Sequence, residues 1–178
     1  LKAEDANVGA SPLELYLSKL KDKNVGVIAN QTSTFNETHL VDTLLSLDIN
    51  IRKIFTPEHG FRGTADEGVT INNSIDKKTN LPIISLYGNN KKPTSSQLED
   101  IDILLFDLQD VGTRFYTYIS TMTYAMEAAA ENNLPIVILD RPNPNGFYID
   151  GPVLEKENSS FVGLHQVPVV YGLTIGEY

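Results

Sequence analysis

Residues 101–139 read IDILLFDLQDVGTRFYTYISTMTYAMEAAAENNLPIVIL, and their pattern decides the fold. Residues 101–108 are a nearly continuous apolar run without helical period, which predicts a strand buried on both faces. A polar loop follows. Residues 118–132, rich in Ala and Met, read as a helix, and residues 134–139 return to Ile, Val and Leu as a second strand. Strand, helix and strand in this order make a βαβ unit, and such units build parallel sheets.

The same cadence extends upstream. Residues 24–29 form a β-branched run ending in the polar Asn30-Gln31-Thr32-Ser33-Thr34, and residues 40–47 form a short amphipathic helix. Residues 51–56 are a strand, residues 57–73 a long polar loop containing Gly60, Gly63 and Gly68, residues 81–86 a strand, and residues 95–100 a helical turn. Near the start, Ser11-Pro12-Leu13-Glu14 has the signature of a capping box, with Leu13, Leu17 and Leu20 on one face behind it. The expected fold is therefore α/β: a doubly wound, mainly parallel sheet of about five strands with helices on both faces. Residues 1–150 are read as this domain and residues 151–178 as a connection. Thr174-Ile175-Gly176-Glu177 forms a second capping box, which predicts a further helix and a C-terminal domain beyond this chain.

Composition narrows the function. A hydrophobic fraction of 41% over 178 residues supplies a core for one domain. The net charge of −9, with no cluster of Lys and Arg, argues against nucleic acid as a partner. No apolar run is long enough for a membrane span, and the opening LKAEDANVGA lacks the apolar core of a signal segment. With no cysteine, thiolate chemistry and disulfides are excluded. Serine nucleophile elbow, HExxH, GxGxxG and Walker A patterns are absent, and Glu58, His59, Asp107 and Asp110 meet no known metal-ligand spacing. No cofactor or metal is expected. The chemistry that remains is proton transfer by carboxylates.

In doubly wound sheets, ligands bind beyond the carboxyl ends of the strands. The residues arriving there are Asn30, Gln31 and Thr32; Glu58 and His59; Tyr87; Asp107, Gln109 and Asp110; and Asp140, Arg141 and Asn143. Pro57 and Gly60 flank Glu58 and His59, fixing the approach and allowing a sharp exit. Glu58, His59 and Asp110 are the candidate catalytic residues. Glu58 is suited to general-acid work on a glycosidic oxygen with His59 as its proton-sharing neighbour. Candidate substrate contacts are Asn30, Gln31, Arg62, Asp107, Gln109, Arg114, Tyr116, Asp140, Arg141 and Asn143. Carboxylates and amides bind hydroxyls, an aromatic face stacks on a sugar ring, and a guanidinium grips a carboxylate. Structural alternatives stand beside these: Glu58 paired with Arg62, and Asp110 with Arg114 tying down their loop.

Six blocks together carry a resemblance: NQTS at 30–33, TPEHGFRGTADEG at 56–68, LPIISLYG at 81–88 with KKPT at 91–94, DLQDVGTRFYTYIST at 107–121, LDRPNPNG at 139–146 and GPVL at 151–154. From about residue 24 to 178 the chain resembles the exo-β-N-acetylmuramidase family of peptidoglycan-recycling glycosidases. The resemblance implies a Rossmann-like N-terminal domain followed by a C-terminal one, an active cleft between them, and release of terminal N-acetylmuramic acid from muramyl saccharides. It also implies a periplasmic or secreted location. It makes Glu58 the acid/base, with His59, Asp110, Arg114 and Tyr116 toward the substrate, and it leaves Asp107 or Asp110 as base or nucleophile, or the substrate's own acetamido group as the attacking group, for the second catalytic role. Val170-Tyr171 stands where family members often carry Arg-His. A muramyl substrate bears a lactyl carboxylate, which gives Arg114 or Arg62 a partner that glucosamine lacks. A sugar-binding module without turnover is the competing expectation, and binding without hydrolysis would distinguish it.

Overall fold

The computed structural model describes residues 8–58, 60–63 and 74–178. Its strands are β1 (Val25–Ala29), β2 (Thr34–Phe35), β3 (Thr38–His39), β4 (Ile51–Thr56), β5 (Ser74–Ile75), β6 (Pro82–Ser85), β7 (Ile103–Asp107) and β8 (Ile136–Ile138). Its helices are α1 (Leu17–Leu20), α2 (Leu40–Ser46), α3 (Ser95–Leu98) and α4 (Tyr118–Glu131).

The main sheet has the order β5-β6-β4-β1-β7-β8. Five of these strands are parallel neighbours, and β5 alone pairs antiparallel, at the edge. In chain order the parallel strands run 3-2-1-4-5, so the fold is α/β and Rossmann-like. The sheet thus has six strands where five were expected. The extra one is two residues long, too short to show a period of two in sequence. The β2–β3 hairpin has the same brevity.

Alternation along each strand sends neighbouring residues into two cores. Val25, Val27, Ile54, Ile103 and Leu105 pack with Leu20 of α1 and with Leu40, Val41 and Leu44 of α2. Ile28, Phe55, Leu104 and Phe106 pack on the other face, with Leu98 of α3 and with Ile119, Met122 and Ala125 of α4. Phe55 and Phe106 are fully buried, each contributing on the order of 2–3 kcal/mol. Val170, Tyr171 and Ile175 are buried as well, so residues 151–178 return to the α4 side of the sheet.

The N-terminal helix differs from expectation. Leu13–Leu15 is a 3-10 turn, α1 begins only at Leu17, and neither element has a side-chain cap. The tight turn carries Tyr16 inward, where its hydroxyl donates to the Ala10 carbonyl at 2.7 Å. That buried hydrogen bond takes precedence over a continuous helix from Ser11. The second capping box does form. Glu177 N donates to Thr174 Oγ1 at 3.1 Å and Thr174 N to Glu177 Oε2 at 2.8 Å, while Tyr178 N reaches the Thr174 carbonyl at 3.0 Å.

Candidate active site

All five parallel strands end on one edge, and the chain reverses its direction of sheet growth between β1 and β7. A ligand crevice is expected there. Instead the protein fills it with its own polar groups. Asn30 is fully buried; its Oδ1 accepts from Thr32 N at 2.9 Å and Thr32 Oγ1 at 2.6 Å, and its Nδ2 donates to the Tyr118 hydroxyl at 2.7 Å. Ser33 donates to the Asp107 carbonyl, and Gln109 N donates to Thr32 Oγ1 at 3.2 Å. His39, which the sequence reading passed over, closes the floor. Val41 N donates to its Nδ1 at 3.2 Å, so its Nε2 carries the proton given to the Asn30 carbonyl at 2.9 Å. Burial lowers the pKa of this imidazole, keeping it neutral.

Several nominated residues are engaged with one another. Arg141 donates through Nε to Asp107 Oδ1 at 2.6 Å and through Nη2 to Oδ2 at 2.9 Å. Burial pushes the Asp107 carboxyl up, and the guanidinium pulls against that shift. Asp140 accepts from Thr174 Oγ1 at 2.6 Å and from Gly176 N at 2.7 Å, fastening the 174–177 turn. Gln109 donates to the carbonyls of Asp110 and Pro142, and Asn143 to that of Leu173. Arg62 is bound by two carboxylates, Asp42 and Asp76, with Lys78 also on Asp42. Glu58 is therefore not its partner among the described residues.

Asp110 and Arg114 each hold the loop before α4, through separate partners. Asp110 is buried, and its Oδ2 accepts from Gly112 N at 2.7 Å and from the Tyr171 hydroxyl. Its Oδ1 has no partner among the described residues. Burial raises its pKa. Arg114 donates instead to the carbonyls of Pro152 at 2.9 Å and Val167 at 2.6 Å, and forms no ion pair among the described residues.

What remains open to a ligand lies beside this floor. Half-buried Glu58 shares a pocket of about 220 Å³ with Phe115, Tyr116, Thr117, Tyr118 and Val162. Tyr116 meets Tyr118 edge-on at 4.6 Å between ring centroids. Burial pushes the Tyr118 hydroxyl up, with Tyr116 adding to the shift. Tyr87 reaches the site from β6, where a hydrogen bond to Glu58 raises its pKa. Gln31 is exposed, next to Gly63. His59 lies outside the described residues, as does the loop from 64 to 73. A larger groove of about 580 Å³ runs along α4, between Met122, Met126, Ile138, Ile175 and Tyr178, and none of the nominated residues lines it. Among the described residues no three His, Asp or Glu side chains converge as a metal site, and no helix is long and apolar enough to cross a membrane.

A carboxylate beside aromatic walls, at the carboxyl edge of a Rossmann-like sheet, defines the chain as an α/β protein with a candidate ligand cleft at its strand ends. Residues 25–178 match the family described as exo-beta-N-acetylmuramidase NamZ, N-terminal. The chain belongs to this family. It is 52% identical over 165 residues to the peptidoglycan beta-N-acetylmuramidase NamZ of Bacillus subtilis, covering 91% of this chain and 40% of that protein. Two crystal structures of DUF1343 family proteins from Bacteroides fragilis superpose with TM-scores of 0.86 and 0.87, at 44% and 43% identity. They cover 97% and 96% of this chain and 45% and 44% of theirs. The chain thus spans less than half the length of these relatives.

Proposed function

We propose that this chain supplies the Glu58 side of the cleft of an exo-acting glycoside hydrolase that releases terminal N-acetylmuramic acid from peptidoglycan fragments. The observation that carries this is Glu58 itself: half-buried, at a strand end, in a pocket walled by Phe115, Tyr116 and Tyr118. The named activity of the Bacillus subtilis relative supports it. The protein's own residues divide the work. Tyr116 and Phe115 stack on the sugar ring and exclude water. Glu58 gives a proton to the glycosidic oxygen as the bond to the anomeric carbon breaks, and water adds to that carbon, losing a proton that restores the Glu58 carboxyl group. Asp107 and Arg141 hold the β7 and β8 ends in place, and Asp110 holds the loop from which Tyr116 projects.

In this proposal residues 1–150 form the catalytic domain and residues 151–178 lead into further chain that completes the cleft. The greater length of the relatives supports that division. Exposed Phe147, Ile149 and Val153 offer apolar surface for the contact. In this proposal the protein acts in cell-wall recycling, in the periplasm or outside the cell, which fractionation with tagged protein would check.

The test is product analysis. The intact protein is incubated with a disaccharide carrying N-acetylmuramic acid at its non-reducing end, and free N-acetylmuramic acid is expected. Saturable binding of the disaccharide without any release would replace hydrolysis by a sugar-binding role.

A further inference from the structure

We infer that Tyr87 is the positioning residue for Glu58, its phenol holding the carboxylate in place for proton transfer; this rests on the catalytic assignment of Glu58 above. The first support is register. β4 and β6 pair in parallel with Ile54 opposite Ile83, Phe55 opposite Ile84 and Thr56 opposite Ser85. Leu86 N extends the ladder by donating to the Thr56 carbonyl at 2.8 Å. Two residues beyond the last pair on each strand stand Glu58 and Tyr87, so the sheet itself carries the two side chains to the same level.

The second support is how firmly the backbone beneath Tyr87 is held. Gly88 follows at φ +69°, a conformation that turns the chain away at once. Asn90 then closes the turn, its Nδ2 donating to the Ser85 carbonyl at 2.8 Å and its N meeting the Tyr87 carbonyl at 3.5 Å. A side chain on such a base loses little freedom when it takes a partner.

The third is the partner. Hydrogen bonding to Glu58 is the largest influence on the Tyr87 hydroxyl, which it pushes up. Tyr118 contributes differently: its hydroxyl accepts from the Asn30 amide, its side chain hydrogen-bonds Tyr116, and Glu58 acts on it through charge alone. Tyr87 therefore engages one carboxyl oxygen while the other remains available to substrate.

The test is a cycle in the intact protein, assayed with a chromogenic β-muramide. Tyr87→Phe keeps the ring and removes the donor, and kcat is expected to fall roughly tenfold with KM changed less than about twofold. In a Glu58→Gln background the same substitution is expected to cost nothing further. An unchanged kcat, a loss confined to KM, or an equal loss in both backgrounds would overturn the role of Tyr87 while leaving Glu58 catalytic. Full turnover by Glu58→Gln alone would overturn both.

Discussion

Arg141 holds Asp107 through two N–H donors, at 2.6 and 2.9 Å, and both side chains are buried. This pair joins the ends of β7 and β8 beneath the candidate site, and each partner neutralises a charge the interior would not otherwise tolerate. Removing one partner strands the other. Arg141→Leu is expected to cost about 3–5 kcal/mol in urea unfolding, and Asp107→Asn added to it should recover part of that loss.

A second ionic cluster predicts acid sensitivity. Hydrogen bonds from Arg62 hold the Asp76 carboxyl down to about 2. Because its folded value lies below the unfolded one of about 4, its contribution is complete above pH 4 and is lost as the pH falls toward 2. Asp76→Asn is expected to lower stability by about 1–2 kcal/mol at pH 7, with the gap from the wild type closing between pH 4 and 2. Denaturation at several pH values checks this.

Gly112 joins two loops of the site. Its φ is +74°, and a Cβ there would lie 2.1 Å from Asn143 Oδ1. Gly112→Ala is expected to cost about 2 kcal/mol or more, through left-handed strain and loss of the Asn143 contacts. Thermal unfolding would show the loss.

Arg62 is already neutralised by two carboxylates, whereas Arg114 has only carbonyl partners among the described residues. If the lactyl carboxylate is read by a guanidinium, Arg114 is the better provided. Arg114→Leu is expected to reduce kcat/KM on a β-muramide at least about tenfold more than on the matching glucosaminide. Equal losses on both substrates would reject the assignment.

The five parallel strands were legible because each is a buried run of Val, Ile, Leu or Phe between polar loops. β5 was not, since Ser74–Ile75 is exposed and only two residues long. The edge on which Glu58 and Tyr116 meet followed from the parallel order alone. The partners of the remaining nominees did not. Asp107 and Arg141 lie 34 residues apart, and Asp110 and Tyr171 lie 61 apart. A charged residue spent on an internal bond looks the same in sequence as one left free for a ligand. Tyr87 was legible as a strand-end residue, because it follows β6 as Glu58 follows β4, but only a known register brings the two together.

The most direct measurement is kcat/KM of Glu58→Gln beside the wild type, in the intact protein, on a chromogenic β-muramide. With Glu58 as proton donor, the variant is expected to lose at least about 100-fold while its thermal unfolding stays unchanged. Turnover at the wild-type rate by a folded Glu58→Gln protein would contradict the catalytic role of Glu58.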